Sequence, residues 1–246
     1  MKKDFLKLYN SFNEIEKKGW IKSKRSGTTG IGYTFESLLN KKEDYFQMPD
    51  YDGIEIKTVN YNSKQKIHLF NMTPDGDFLF PIKRIISKIG YPDRDYPQYK
   101  VFNVSVKSKP ETILGYKKLK LYVNYKKKKI DLLVNTIEGK KIKIDISWSF
   151  ESLKKALYLK LQKLAIIDAY SNKEKNDTYY YYNSISFYIL RNFNTFIYLI
   201  EKGIIEVTFK IGVHKDGEQL GKIHDRGTDF SIMKKDIELL FKKINI

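Results

Sequence analysis

The sequence predicts an α+β (mixed α/β) fold, a single domain with two lobes, and three observations carry that expectation. Stretches with helical apolar spacing are mixed with runs of period two, no internal repeat is evident, and no long linker separates the parts. With 246 residues, 41% of them hydrophobic and 15% aromatic, the chain can bury one substantial core.

Phe5, Leu8, Phe12 and Ile15 recur at helical spacing and predict an N-terminal amphipathic helix ending near Gly19. The middle of WIKSKRSGTTGIGYTFESLL, rich in Gly, Ser and Thr, reads as a loop. From about Tyr33 the spacing of Phe35, Leu38 and Leu39 predicts a second helix. In PDYDGIEIKT (49–58), Ile54 and Ile56 mark the buried face of a short strand, with Glu55 and Lys57 on the other face. KIHLFNM (66–72) predicts another strand, and Asp75-Gly76 a turn.

From Leu119 to Trp148 the period is two, with a turn at Glu138-Gly139-Lys140, which predicts an antiparallel meander. SFESLKKALYLKLQKLAIIDAYS (149–171) predicts one long helix. Ser149 caps it, Glu151 favours its first turn, and Leu153, Leu157, Leu161 and Leu164 form its stripe. TYYYYNSISFYIL reads as a strand, and NTFIYLIEKG as a short helix stopped by Gly203. IIEVTFKIGVHKDGEQLGKIHDRGTDFSI predicts a long hairpin about Asp216-Gly217, and the closing MKKDIELLFKKI a basic helix.

Charge narrows the function classes. Lys and Arg number 46 against 29 Asp and Glu, a net +17, and the pI is near 9.6. Such an excess favours a polyanion, nucleic acid or an anionic membrane surface, although a composition rich in Lys, Asn, Ile and Tyr raises the pI unaided. The absence of cysteine excludes disulfides and Cys-ligated zinc. The charged N-terminus lacks the apolar core of a signal peptide, and no apolar run approaches the ~18 residues of a membrane span. A cytoplasmic protein with no membrane partner is expected.

Glu55 and Lys57, two apart on a strand, project from one face about 6–7 Å apart, and an acid just upstream can converge on them. Two carboxylates with a backbone carbonyl and waters suit Mg²⁺, and a nearby ammonium can orient or deprotonate water or offset charge on a phosphate. Glu-x-Lys on a strand is ordinary by itself, since cross-strand charge pairs are common. Glu36 adds to it: it projects off the stripe of Phe35, Leu38 and Leu39 and can face a neighbouring strand.

Taken together, GWIKSKRSGTTGIGYTFESLL, PDYDGIEIKT, WSFESL and HDRGTDF resemble the MvaI/BcnI family of type II restriction endonucleases, relatives of the MutH mismatch-repair nickase within the PD-(D/E)xK superfamily. The matching residues run from 19 to 230. The resemblance implies a PD-(D/E)xK core, a mixed sheet flanked by helices, with a DNA-recognition lobe. It centres a catalytic lobe on 1–75 and recognition elements on 204–232. Glu36, Asp50, Glu55 and Lys57 would form the active site, with Asp50 and Glu55 binding Mg²⁺, Glu36 as auxiliary acid and Lys57 placing the water. Asp52 rivals Asp50; Pro-Asp followed by four residues and Glu-x-Lys favours Asp50.

Lys22, Lys24 and Arg25 precede GTTGIG, beside that site, and suit phosphate contact. KKKK at 126–129 reads as a solvated hairpin tip. A two-stranded ribbon fits the major groove, where Arg226 can bridge guanine O6 and N7, Asp225 can accept from cytosine N4 and His224 can donate. Lys210 and His214 lie earlier in the hairpin, and His68 reads as structural. The family carries a second His at the place of Arg226, which bears on the target rather than the chemistry. The resemblance implies double-stranded DNA as substrate, a short pseudosymmetric CC-x-GG site, a monomer cutting the strands in separate steps, and a cognate methyltransferase. A MutH-like nickase and a catalytically silent DNA-binding protein are the competing expectations.

Overall fold

A computed structural model describes residues 2–39, 49–61, 66–77 and 79–246. In chain order, α1 (Lys2–Glu16) and the short β1 (Ile21–Lys22) lead to α2 (Gly30–Leu38) and β2 (Glu55–Asn60). Then come β3 (Lys66–Asn71), α3 (Leu79–Ile89), β4 (Tyr91–Pro92), β5 (Lys100–Val106) and β6 (Thr112–Leu114). The meander is β7 (Lys117–Asn124), β8 (Lys129–Thr136), β9 (Lys141–Ile142) and β10 (Ser147–Ser149). It feeds α4 (Phe150–Leu161), β11 (Lys163–Glu174), β12 (Asp177–Leu190) and α5 (Phe193–Glu201). β13 (Ile205–Val213), β14 (Ile223–Asp225), β15 (Asp229–Met233), α6 (Ile237–Leu240) and β16 (Phe241–Ile244) complete the chain.

The chain divides into two compact units, the first made of Met1–Ile67, Leu157–Asn192 and Met233–Ile246. Its sheet runs β1-β12-β11-β2, with β16 also on β12. β2 and β11 are parallel, Glu55 lying opposite Leu164 and Lys57 opposite Ile166. One face carries the core, where Phe5, Leu8, Phe12 and Ile15 of α1 and Phe35 of α2 pack on Ile54, Ile56, Ala165 and Ile167. Alternation along β2 therefore sends Glu55 and Lys57 to the opposite face.

The second unit, His68–Ala156 with Phe193–Ile232, holds two sheets. One is the meander, ordered β10-β8-β7-β6 with β9 on β8; the other runs β3-β15-β13-β5-β4 with β14 on β13. Phe70, Phe196, Phe209, Phe230 and Trp148 pack between them, and the Trp148 indole N–H donates to Met72 O at 3.0 Å.

Three sequence expectations need correction. The helix expected over 149–171 ends at Leu161, and Leu164 lies in β11. Leu164, Ala165, Ile166 and Ile167 are all buried because β11 is covered on both faces, and such a strand writes a continuous apolar run that mimics a buried helix. Ser149 does cap α4, its Oγ accepting the Ser152 N–H at 3.2 Å. The C-terminal segment is one helical turn followed by β16, whose pairing with β12 buries Phe241. The recognition hairpin is no free ribbon, since β13 is flanked by β14 and β15 on one side and β5 on the other. Helix α3 and strands β4 to β6 fill a segment, 79–114, whose sequence shows no sustained period.

The C-terminal strand has a direct test. Phe241→Ala should cost about 3–5 kcal/mol in urea unfolding, as a buried aromatic truncation does, whereas Leu239→Ala, on an exposed side chain, should stay within about 0.5 kcal/mol. Equal effects would contradict the strand.

Candidate active site

The path into β2 is fixed by a tight turn. Tyr51 and Ile54 exchange backbone hydrogen bonds of 2.9 and 2.8 Å around Asp52 and Gly53, both with positive φ, 45° and 79°. Asp-Gly is the pair that such a two-residue turn favours. Asp52 is thus spent on the turn, and its carboxylate pairs with the exposed Lys7 at 2.7 Å. Asp50 instead folds back over the strand, its Oδ2 accepting the Ile56 N–H at 2.9 Å. Of the two rival acids, the structure brings Asp50 beside Glu55 and Lys57.

Glu55 is buried to 0% exposure. Its Oε1 accepts from the Lys57 ammonium at 2.5 Å and lies 3.3 Å from that of Lys160 on α4. Its Oε2 is buried with no protein hydrogen-bond partner among the described residues. Burial pushes the Glu55 pKa up; Lys57 opposes that shift and the Asp50 charge adds to it, so the carboxyl stands above its ordinary range. For Lys57 burial pulls the other way, but Glu55, with Asp50 and Glu36, outweighs it and raises the ammonium above its usual value.

Glu36 reaches this cluster because α2 lies close against β2. A Cβ on Gly32 would stand 3.3 Å from Thr58 Oγ1 and 3.7 Å from Glu36 Oε1, so the glycine permits the approach. The half-buried Glu36 thereby places its charge near Lys57. Among the described residues no three acidic, His or Cys side chains form a ready cage for an ion. A divalent cation here would take carboxylate oxygens from Asp50 and Glu55 and complete its shell with backbone and water oxygens, as hard cations do. The unpartnered Oε2 of Glu55 fits that role: a buried carboxylate oxygen is costly to leave unsatisfied.

The basic loop before α2 is tied down locally. The Lys24 N–H donates to Thr34 Oγ1 at 3.0 Å, the Arg25 guanidinium lies 3.9 Å from the Tyr33 ring centroid, and Lys22 pairs with Asp177 at 2.6 Å. The exposed Lys24 side chain projects from this loop.

In the second unit, pairing of Gly212 with His224 and of Ile211 with Asp225 gathers the predicted reading residues. The His214 and His224 rings stand 4.4 Å apart, edge to face. Asp225 Oδ1 accepts the Gly227 N–H at 3.0 Å, yet burial holds its carboxyl above the ordinary range. The Arg226 side chain is exposed, while the Arg226 backbone N–H donates to Lys210 O at 3.1 Å. Lys210 is drawn to the buried Asp229 at 3.4 Å, which also holds His68 Nδ1. Sequence reasoning missed Asp229 and Lys160: one sat unremarked inside HDRGTDF, the other inside a helix face where lysine is ordinary.

A model of the MvaI/BcnI restriction endonuclease family matches residues 9–241. Among solved structures the chain is similar to the restriction endonuclease MvaI in complex with cognate DNA substrate, at 30% identity over 96% of each chain and a TM-score of 0.87. It is also similar to MvaI in the absence of DNA, at 29% identity over 99% of this chain and 98% of the other, with a TM-score of 0.64. No curated protein matches it.

Glu55 should titrate above the usual glutamate range when followed by carboxyl-carbon NMR without metal. Because Asp50 raises its pKa and Lys57 lowers it, Asp50→Asn should shift the midpoint down and Lys57→Met should shift it up. Midpoints indifferent to both changes would contradict the coupling.

Proposed function

The chain belongs to the MvaI/BcnI restriction endonuclease family, and from that premise we propose how it works and what it cuts. It is a type II site-specific deoxyribonuclease. Our proposal is Mg²⁺-dependent hydrolysis of double-stranded DNA at a short pseudosymmetric sequence of the CC-x-GG kind. The products carry 5′-phosphate ends: an O–P bond forms from water while the P–O3′ bond breaks, leaving a 3′-hydroxyl.

The observation that carries this proposal is the buried Glu55 carboxylate, with one oxygen on Lys57 and the other without a protein partner among the described residues. Asp50 and Glu55 would hold the ion. Once bound, Mg²⁺ supplies positive charge that polarises the phosphate and acidifies nearby water. Lys57, held as an ammonium by its acidic neighbours, donates hydrogen bonds rather than taking a proton. It orients the attacking water and offsets charge growing on the phosphate. Glu36 keeps that ammonium charged and positioned. Lys24 and Arg25 contact phosphate, while His214, His224, Asp225 and Arg226, with Lys210 beside them, read base edges in the major groove.

We further propose a monomer with one active site, so that the two strands are cut in separate steps. Cytoplasmic action beside a cognate methyltransferase completes the assignment, since a site-specific nuclease requires protection of its own genome.

Lys57→Ala should lower Mg²⁺-dependent cleavage by roughly 10²–10⁴-fold, the range for a positioned catalytic group. Duplex affinity measured without turnover should change little, because only one of many phosphate-facing charges is removed. On supercoiled plasmid the wild-type chain should yield discrete linear fragments. Open circles that persist would indicate a nickase instead, and full activity in Lys57→Ala would remove the assignment.

A further inference from the structure

Much of the positive charge is carried by a segment that contributes to neither site described above. Residues 112–149 carry ten lysines against three acidic residues, a net +7 of the whole chain's +17. Pairing in the meander sorts these groups by face. Along β8, buried Ile130, Leu132 and Val134 alternate with half-exposed Lys129, Asp131 and Leu133. Opposite the latter on β7 stand Asn124, Tyr122 and Lys120.

The other edge of β8 is paired by β9 and again by β10, but the chain between them bulges. Asp145 takes a left-handed conformation there, φ 51°. A cavity of about 560 Å³ opens beside the bulge, lined by Tyr122, Lys127, Lys129, Lys141 and Lys143 together with Asp131 and Asp145. Both acids are already matched: Lys129 pairs with Asp131 at 2.7 Å, and Arg84 on α3 holds Asp145 at 3.3 Å with Lys143 at 4.0 Å. Lys127 and Lys141 are exposed, and among the described residues no carboxylate pairs with either. The cleft therefore carries more positive than negative side chains on otherwise largely apolar walls, with one exposed tyrosine among them.

We propose that this lysine cleft is a phosphate seat for the DNA backbone flanking the recognised sequence, an extension that rests on the chain acting on duplex DNA. Flexible lysines carry compact charges with no fixed fork, which suits contact with phosphates irrespective of sequence. The Tyr122 hydroxyl adds a hydrogen-bond donor beside them. Binding there lengthens the footprint on DNA without altering which bases are read.

The test uses the full chain, in Ca²⁺ or without metal, and two duplexes. One ends at the recognised sequence, defined by sequencing fragment ends; the other extends it by about one helical turn on each side. The wild-type chain should bind the long duplex more tightly and with a steeper salt dependence. A Lys127→Gln, Lys141→Gln, Lys143→Gln variant spares Lys129, which is already paired with Asp131. Its thermal melting midpoint is compared with wild type, to keep a folding defect separate.

In this variant the log–log salt slope for the long duplex should fall by roughly 2–3, at about 0.9 for each phosphate no longer neutralised. The advantage of the long duplex should fall with it. An unchanged slope in a folded variant, or a wild-type chain that binds both duplexes alike, overturns the cleft while leaving the nuclease intact. A wild-type chain that binds neither duplex, and cuts neither when Mg²⁺ is supplied, overturns the underlying function, and the cleft with it.

Discussion

Everything in the first unit is arranged around a carboxylate that ought not to be buried. Glu55 sits at 0% exposure on β2 with one oxygen held by ammonium groups and the other without a protein partner among the described residues. Removing a charge from water is costly unless it is paired and hydrogen-bonded. Lys57 and Lys160 supply part of that compensation at Oε1, and Oε2 has no protein donor among the described residues. Burial is enforced from several directions at once. The Asp52-Gly53 turn delivers Asp50, parallel pairing with β11 fixes the direction of Glu55, and Gly32 lets α2 close on the strand. Segments far apart in the chain thus meet at one charged point, which a surface ion pair would never require.

The second unit follows a different logic. Bases are distinguished by donor and acceptor geometry, so groups proposed to read them need rigid backing. β13 obtains it by standing inside a sheet, with β5 on one side and β14 and β15 on the other. Beneath the hairpin, buried Asp229 anchors Lys210 and His68 from one carboxylate. A lone two-stranded ribbon is marginally stable; this one is braced by its neighbours and by the aromatic packing of Phe209 and Phe230 on Trp148.

Legibility in the sequence follows the strength of the local signal. The stripe of Phe5, Leu8, Phe12 and Ile15 announces α1, and Phe35 announces α2, because one face of each helix meets one core. Clean alternation in 117–136 announces β7 and β8 because one face of that sheet is exposed. The pattern misleads where burial erases periodicity, as in KLAIIDAY, or where a strand end borrows helical spacing, as in LLFKKI. The Glu55-x-Lys57 pair is visible as a pattern, but its burial is not. Alternation is equally compatible with a solvated face; what the pattern does not announce is α4, whose Lys160 reaches Glu55 on that face. Lys160 becomes visible only through that contact, since no sequence spacing links residue 160 to residue 55.

If the free oxygen of Glu55 belongs to a cation shared with Asp50, that ion can be seen. A crystal structure of the protein soaked in Ca²⁺, which occupies such sites with oxygen ligands at about 2.3–2.6 Å, tests the point most directly. We expect an ion coordinated by Glu55 Oε2 and Asp50, with Lys57 still on the other Glu55 oxygen. Glu55 Oε2 hydrogen-bonded to a protein donor, and no ion between the two carboxylates, would contradict the account.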